Sequence, residues 1–437
     1  MEPSVDLDLE KGVSQISVRV GAIGIALVIG FIVALVAVAF FKLVSFVNAF
    51  WVVPLPHRLT DITWDYSPAI GISLLITSLI AGQVLRFLEN GRPHGPADLI
   101  HAAQNAQPVD LKAGFLSSFL ALNNLAGGSS SGIFGPLVHL GGCVSCWLQR
   151  TSTLLSRDVV LGVGAGAAIA AVFSAPIGAA IFAHEAIIRR FGALGPGPIL
   201  ASTFSAYWAS SLLIGDHHFF KVGSAPDLNF ESVLVAIVLG ACSGLLSMLY
   251  IWSITTVPKL AKATGIPLQW RPLLPALALF LISPILPHLL GAGISSINLA
   301  MTGKLALTLL LVLIVVKILM TTFCIGFGYF GGVFAPALFF GAMLGAAFDL
   351  ILAEPGSAAS SYVALGAASC VATVIGAPLA ATVIIFEMTG SYGWAVLSMI
   401  SVVIAAQISR SFVGRSLFDR QLALRGIEVK DDFHERP

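Results

Sequence analysis

The stretch SGIFGPLVHLGG at residues 131–142 returns as GGVFAPALFFGA at residues 331–342, so the signature G-[IV]-F-x-P occurs twice, 200 positions apart. Glycine is the residue best able to hold a positive φ or to allow close backbone approach, which we expect of Gly132 and Gly332. Proline is tolerated in the first turn of a helix, where the N–H groups have no intrahelical partner and carry the positive end of the helix dipole. Each copy therefore predicts a helix N-terminus that binds an anion through backbone amides.

A second pair of segments repeats at nearly the same offset. FSAPIGAAIFAHE at 173–185 and IGAPLAATVIIFE at 375–387 each place a proline nine residues before a glutamate. These repeats divide the chain into two homologous membrane halves, 20–214 and 229–427, joined by a linker at 215–228. Duplicated halves with interrupted helices in matching places are typical of transport proteins with a site between the repeats. The residues alone do not decide whether the halves are inverted.

Composition indicates a polytopic integral membrane protein, because 57% of residues are hydrophobic and 10% are charged, against about a quarter charged in soluble domains. The fold is predicted to be all-α, with long apolar runs separated by segments that glycine or proline shortens. The long runs are 20–41, 69–85, 229–252, 272–290, 305–325 and 393–408, and the broken segments are 97–106, 136–149, 159–172, 177–188, 334–351 and 360–371.

The two ends of the chain are polar. Residues 1–19 read as an amphipathic lead-in whose Lys11 and Arg19 favour a cytoplasmic start, and the arginines after position 410 favour a cytoplasmic end, including the tail at 428–437.

A net charge of +1 and the lack of a basic run argue against nucleic-acid binding. Cys143 and Cys146 supply only two soft ligands where zinc needs about four, so we predict no metal site and no cofactor. The chain also lacks the motifs of a membrane-embedded enzyme, and we predict that it is not an enzyme.

Taken together, these motifs resemble the CLC family of chloride channels and proton/chloride antiporters, in its bacterial form without cytoplasmic regulatory domains. GIFGP at 132–136 stands where that family usually has GREGP, GGVFAP at 331–336 is similar to its GxFxP element, and FSAPIGAAIFAHE resembles its FNAP-type helix. IFEMTGSY at 385–392 and SLFDRQLALRGI at 416–427 resemble its last spans. The resemblance implies inverted repeats of tilted and broken helices, a homodimer with one pore per subunit, and a bacterial inner membrane as the location.

The chain departs from the family pattern at the side chains that carry its coupling chemistry. The position of the gating glutamate in GREGP is Phe134, and the position of the internal proton-transfer glutamate is Ala186. The pore tyrosine corresponds to Phe418. The pore serine corresponds to Pro93 or His94, depending on a one-residue gap.

What remains of the family's pore is its backbone. We expect the anion to be held by Gly132, Ile133, Phe134 and Gly135 in one half and by Gly332, Val333 and Phe334 in the other, since main-chain dipoles alone can select an anion. Neither Phe134 nor Ala186 can carry a proton, so we predict a passive channel for chloride or a similar small anion, working as a homodimer in lipid. The alternatives are an uncoupled carrier, or a proton/anion antiporter that uses another route, for example through His184.

The ring of Phe134 has two possible placements. Pointing inward, it would narrow or dewet the path as a hydrophobic gate. We expect it to point outward, because an inserted apolar ring would leave the amides of Ile133 and Gly135 facing carbon.

Overall fold

The computed structural model describes residues 3–51, 68–151, 154–189, 196–215, 228–352 and 362–427. Among these residues the regular structure is helical, and the one β-type pairing is an isolated bridge between Gly132 and Gly332. The predicted all-α fold is therefore confirmed. The predicted linker falls almost entirely outside the described residues, at 216–227, and so does the C-terminal tail at 428–437.

The described residues of the first half form eight α-helices. They are α1 (Pro3–Trp51), α2 (Pro68–Leu85), α3 (Pro96–Asn105), α4 (Leu111–Ala126), α5 (Phe134–Leu148), α6 (Arg157–Phe173), α7 (Pro176–Phe182) and α8 (Gly197–Ile214). Helix α7 continues directly into a π-helical turn at Ala183–Ile188.

The second half, as far as the structure describes it, contains nine α-helices. They are α9 (Phe230–Ala263), α10 (Leu273–Ile282), α11 (Ile294–Ala300), α12 (Leu307–Gly326), α13 (Phe334–Leu352), α14 (Val363–Ile375), α15 (Pro378–Thr389), α16 (Tyr392–Val413) and α17 (Leu417–Ala423). The first eight of these correspond in order to α1–α8, and α17 is an addition after the repeat.

Helix packing repeats between the halves. Helix α1 packs on α8, α8 on α6 and α6 on α5, and the same chain of contacts joins α9 to α16, α16 to α14 and α14 to α13. Both α5–α6 and α13–α14 approach through paired glycines: a Cβ atom at Gly141 would lie 2.4 Å from the Gly164 carbonyl oxygen, and one at Gly341 would lie 2.3 Å from that of Gly366. Small residues at matching places let membrane helices meet closely in each half.

The two halves are inverted with respect to each other. Helices α7 and α15 occupy corresponding places in the repeat and pack together. Glu387, near the C-terminal end of α15, contacts the start of α7, and Glu185, just beyond α7, contacts the start of α15. Corresponding helices thus run antiparallel, which is what an inverted repeat requires.

Within the described ranges five helices are long and apolar enough to cross a membrane: Ile16–Phe50, Phe230–Ala263, Leu307–Gly326, Phe334–Leu352 and Tyr392–Ala423. Two predictions from the apolar runs were wrong. The run 272–290 is not one span, because α10 ends at Ile282 and Pro284 and Pro287 follow within five residues. The segment 334–351 is not broken, because its only proline stands in the first turn of α13.

Candidate functional site

The two copies of the opening signature meet in space. The Gly132 amide donates to the Gly332 carbonyl at 2.7 Å, and the Gly332 amide donates to the Gly132 carbonyl at 2.5 Å. This reciprocal bridge fixes the start of α5 beside the start of α13. Ile133, the residue before α5, makes no side-chain capping bond. The fold therefore brings the amide groups of two helix N-termini to one place, as the repeat predicts.

Glycine is required at the bridge for space and not for a special backbone angle. A Cβ atom added to Gly132 would lie 2.7 Å from the Gly332 carbonyl oxygen, and one added to Gly332 would lie 2.8 Å from the Gly135 nitrogen. The expected positive φ is wrong for both bridge residues. It occurs instead four residues earlier in each half, at Gly128 (φ +91°) and Gly328 (φ +105°), where the chain turns toward the bridge.

Three phenylalanine rings fill the space between the two helix starts. The Phe134 ring lies 5.0 Å from that of Phe334 and 4.6 Å from that of Phe173, and Phe173 and Phe334 are 5.3 Å apart, all measured between centroids. Phe134 is 1% exposed. The predicted outward placement is thus wrong: the ring points toward the opposite helix start. The prediction considered only the amides beside the ring and not the aromatic contacts, each of which contributes about 0.5–1.5 kcal/mol.

Phe173 was missed at the sequence level. It is the last residue of α6 and stands directly before the turn Ser174–Ala175 that leads into α7. The available signal was its place at the head of the FSAP segment. An inverted repeat brings that segment close to the bridge, but a single sequence does not show which neighbour its ring meets.

The second pair of repeated helix starts is closed by carboxylates from the opposite half. Glu387 accepts from the amides of Ile177 (2.9 Å) and Gly178 (2.6 Å) at the start of α7. Glu185 accepts from the amides of Leu379 (3.2 Å) and Ala380 (2.8 Å) at the start of α15. Both glutamates therefore have a structural role as caps of helix starts. Each supplies to one helix start the negative charge that such a position favours.

The two pairs of helix starts differ in the residues around them. Neither 129–137 nor 329–337 contains an acidic residue, and in the described part of the chain no carboxylate is bonded to the start of α5 or α13. The starts of α7 and α15 are thus capped by carboxylates, whereas the starts of α5 and α13 are lined by backbone amides and aromatic rings.

The start of α3 lies next to the bridge. A Cβ atom at Gly135 would lie 3.1 Å from Gly332 Cα, 3.8 Å from Pro96 Cγ and 4.0 Å from the Val333 nitrogen. The α3 N-terminus is closed by its own Asp98, which accepts from the Gly95 amide at 2.8 Å. The starts of α3, α5 and α13 therefore converge, and the start of α3 is capped by the carboxylate of Asp98 from the same helix.

Arginines from two segments neutralise Asp98. Arg92 and Arg425 each form an ion pair with its carboxylate, at 2.7 Å and 2.9 Å. Burial raises the pKa of Asp98, but Arg425, Arg92 and the Gly95 amide outweigh that effect and hold the pKa below its ordinary value. Because Arg425 follows α17, this ion pair also connects α3 to the end of the described chain.

Pro93 and His94, the two candidates for the pore-serine position, precede α3. The His94 amide donates to the Ser117 hydroxyl at 2.8 Å, and its ring centroid lies 6.3 Å from that of His139 on α5. Burial lowers the pKa of His94, and the nearby Asp98 carboxylate opposes this effect only in part. The lowered pKa favours a neutral imidazole at pH 7. Both residues directly precede Gly95, the residue that caps α3, and both remain candidates for the pore-serine position.

Phe418 is buried in the first turn of α17, next to the capping residue Ser416. Ser416 lies against Gly376, the residue that ends α14 with φ +73°. Helix α17 packs on α3. Phe418 therefore reaches the neighbourhood of the site through α3.

Ala186 is fully buried within the π-helical turn after α7. Its carbonyl accepts from Arg189 Nε at 3.2 Å, and Arg189 forms a 2.7 Å ion pair with Asp419 of α17. The Glu185 carbonyl accepts from Arg415 at 3.0 Å. Arg189 thus joins this turn to α17 and Arg415 joins it to the segment before α17, and the only carboxylate on the turn, that of Glu185, accepts hydrogen bonds from helix amides. Across the described ranges no group of three or more His, Cys, Asp or Glu residues could hold a metal ion.

Similar folds occur among solved structures. A CLC-type fluoride/proton antiporter superposes with a TM-score of 0.77 at 22% identity, covering 92% of this chain and 98% of that one. A slow cyanobacterial Cl⁻/H⁺ antiporter gives a TM-score of 0.74 at 20% identity, covering 92% of this chain and 97% of that one. At these identities the likeness establishes the fold.

Sequence relatives point the same way. The voltage-gated ClC-type chloride channel ClcB of Citrobacter koseri is 26% identical over 366 residues, which is 82% of this chain and 86% of the relative. ClcB of Shigella flexneri is 26% identical over 338 residues, 76% of this chain and 81% of the relative. The family model described as voltage gated chloride channel matches residues 74–410, well over half of the sequence. The chain is therefore an integral membrane protein that belongs to the voltage-gated chloride channel family.

Proposed function

We propose that the protein is a passive channel for chloride or a similar small anion. The anion path passes between the starts of α5 and α13, where the amides of residues 133–135 and 333–334 hold the ion and the reciprocal bridge between Gly132 and Gly332 fixes their position. The observation that carries this proposal is the contrast between the repeated helix starts. Glu185 and Glu387 neutralise one pair, whereas no carboxylate from the described part of the chain is bonded to the pair at the glycine bridge. A helix N-terminus favours a negative charge, and here the permeating anion supplies it.

Residue identities support a path without proton exchange. Proton transfer requires a group that changes its protonation state, and phenylalanine at 134 and alanine at 186 cannot do so. Glu185, the neighbour of Ala186, has both carboxylate oxygens bonded to helix amides, which favours a fixed structural role. The trio Phe134, Phe173 and Phe334 forms an apolar constriction that would gate the path by excluding water.

A proton/anion antiporter is the second candidate, because both solved structures described above are antiporters. His184 is the group that would carry the proton, since it lies in the π-helical turn beside Ala186. A carrier that exchanges anions without protons is the third candidate, and its slow unitary rate would distinguish it from a channel.

The test is purified protein in liposomes with equal chloride on both sides and a tenfold proton gradient. A passive path predicts a reversal potential of zero and chloride efflux without proton movement. A shift of many millivolts toward the proton equilibrium potential would instead support antiport, and His184→Ala would then have to abolish that shift. Replacing chloride with nitrate, bromide or fluoride in the same vesicles identifies the preferred anion.

The proposal includes the setting of the protein. We infer a homodimer with one path per subunit in a bacterial inner membrane, with both termini in the cytoplasm. The relatives named above are bacterial, and the arginines that follow position 410 favour the cytoplasmic side. Surrounding lipid is the remaining partner.

A further inference from the structure

Helix α12 carries one charged residue in the middle of its apolar sequence. Lys317 lies within LTLLLVLIVVKILMTTFCIG and is 0% exposed. An ionisable side chain inside a membrane span is costly and points to a functional role unless it is paired. The signal was present in the sequence, as a lone lysine in the apolar run 305–325.

Carbonyl dipoles and an aromatic ring surround the ammonium group. Lys317 Nζ donates to the Leu289 carbonyl at 3.1 Å and to the Gly291 carbonyl at 2.9 Å, and it lies 5.0 Å from the centroid of the Phe339 ring. Among the described residues no carboxylate lies within ion-pair distance of it. Carbonyls and a ring face stabilise the cation without cancelling its charge.

Two routes connect this ammonium to the bridged helix starts. Phe339 stands five residues after Phe334 on α13, a rise of about 7.5 Å along the helix. The Gly291 amide donates at 3.2 Å to the Gly128 carbonyl, four residues before the bridge residue Gly132. Lys317 is therefore linked to the start of α13 through Phe339 and to the start of α5 through Gly291.

A third contact places the same face of α12 against the segment before α5. Thr321, one turn after Lys317, has its hydroxyl 3.5 Å from that of Ser130. The segment 128–131 is thus held from two sides by groups on or beside Lys317. The ammonium group of Lys317 is therefore buried beside the backbone segment that precedes α5 and does not lie on the surface.

We propose that Lys317 is a fixed positive charge that raises the affinity of the site between α5 and α13 for its anion. Lys317 does not touch the ion and acts through the field at the two helix starts. This inference rests on the proposed function, because it concerns the same anion site. Each helix start contributes roughly half a unit charge, so one whole charge nearby is comparable to both together. The 5.0 Å from Lys317 Nζ to the Phe339 ring and the rise of about 7.5 Å from Phe339 back to Phe334 give a separation of about 12 Å. At that separation and an effective dielectric constant of about 20, Coulomb's law gives an attraction that changes an equilibrium constant about tenfold.

Substitutions can separate the effect of the Lys317 charge on chloride binding from the effect of its packing. Lys317→Met keeps the length of the side chain and removes its charge, Lys317→Arg keeps the charge, and Lys262→Met removes an exposed lysine from α9 as the matched control. The readouts are the chloride concentration that half-saturates flux in liposomes and the dissociation constant of chloride measured by calorimetry. We expect both values to rise about tenfold in Lys317→Met and to stay near wild type in Lys317→Arg and Lys262→Met, because surface charges are screened.

A second pair of variants keeps the lysine in place and covers the case in which Lys317→Met does not fold. Thr321→Asp places a carboxylate one turn from Lys317, at a spacing that allows an ion pair, and Thr321→Asn is its neutral control. The aspartate should weaken chloride binding about tenfold and the asparagine should not. Unchanged half-saturation in both Lys317→Met and Thr321→Asp would overturn the inference and leave Lys317 as a structural support of residues 289–291. If the wild type moved no anion at all, the proposed function would fail, and the calorimetric comparison would still decide the role of Lys317.

Discussion

At the scale of single residues, Phe134 determines how open the proposed path is. Its ring is in contact with the rings of both Phe173 and Phe334, so the space between the two helix starts is filled by carbon. An anion that enters this space must displace apolar side chains or wait until they move. We therefore regard the aromatic trio as the barrier to flow and the amides behind it as the source of selectivity.

Phe134→Ala should increase anion flux several-fold, because it removes the ring that joins the trio. The substitution also removes buried packing, at a cost of about 3–5 kcal/mol, so flux must be expressed per folded protein. Phe40→Ala in α1 is the control, since it removes another buried phenylalanine from a different part of the molecule. Single-channel recording or vesicle efflux provides the measurement. Equal flux in Phe134→Ala and wild type would place the path elsewhere.

Individual residues are also where prediction from sequence was weakest. The repeat draws attention to Gly132 and Gly332, but the reason for glycine there is steric contact across the bridge, and that contact exists only once the halves are folded together. The direction of the Phe134 ring depends on Phe173, which is 39 residues away along the chain. Neither property can be obtained from local sequence pattern.

At the scale of helices, the reciprocal caps connect the two halves. The start of α7 is closed by a carboxylate from the second half and the start of α15 by one from the first. Each carboxylate accepts two backbone hydrogen bonds and faces the positive end of a helix. Such charge-assisted bonds contribute more than neutral ones, about 1.5–3 kcal/mol. The caps therefore hold the inverted halves together without using the amides at the glycine bridge.

Glu387→Gln should lower the stability of the protein by roughly 1–3 kcal/mol, because the amide lacks the charge and keeps only one acceptor oxygen. The measurement is the midpoint of thermal unfolding in detergent. Glu185→Gln should behave similarly, since it occupies the corresponding place, and Glu89→Gln on an exposed turn should have little effect. The half-saturating chloride concentration should remain unchanged. A large change in chloride affinity with no loss of stability would contradict a purely structural role.

Helix boundaries show what hydropathy can and cannot predict. Apolar runs identified α1, α2, α9, α12 and α16, because a span needs an uninterrupted hydrophobic stretch. Proline was harder to interpret. It ends the helix inside 272–290, but in 334–351 it stands in the first turn and is tolerated. Position relative to the helix start decides between these outcomes.

At the scale of the whole molecule, the repeat was visible in the sequence, but its inversion was not. Two copies of a signature indicate duplication, and only the antiparallel contact of α7 with α15 shows how the copies are oriented. Inversion has a direct consequence for the site. It turns the starts of corresponding helices toward one another, so a single chain supplies both sides of the bridge between Gly132 and Gly332.

Because one chain supplies both sides of the bridge, each subunit of the proposed dimer should conduct independently. Gly332→Val should abolish the path in its own subunit, since a side chain there would meet the Gly135 nitrogen at 2.8 Å. Two copies joined as one polypeptide, one wild type and one Gly332→Val, should pass half the anion flux of a linked wild-type pair, and a doubly substituted pair should pass none. Vesicle efflux normalised to reconstituted protein provides the measurement. Loss of nearly all flux in the mixed pair would indicate a path shared between subunits.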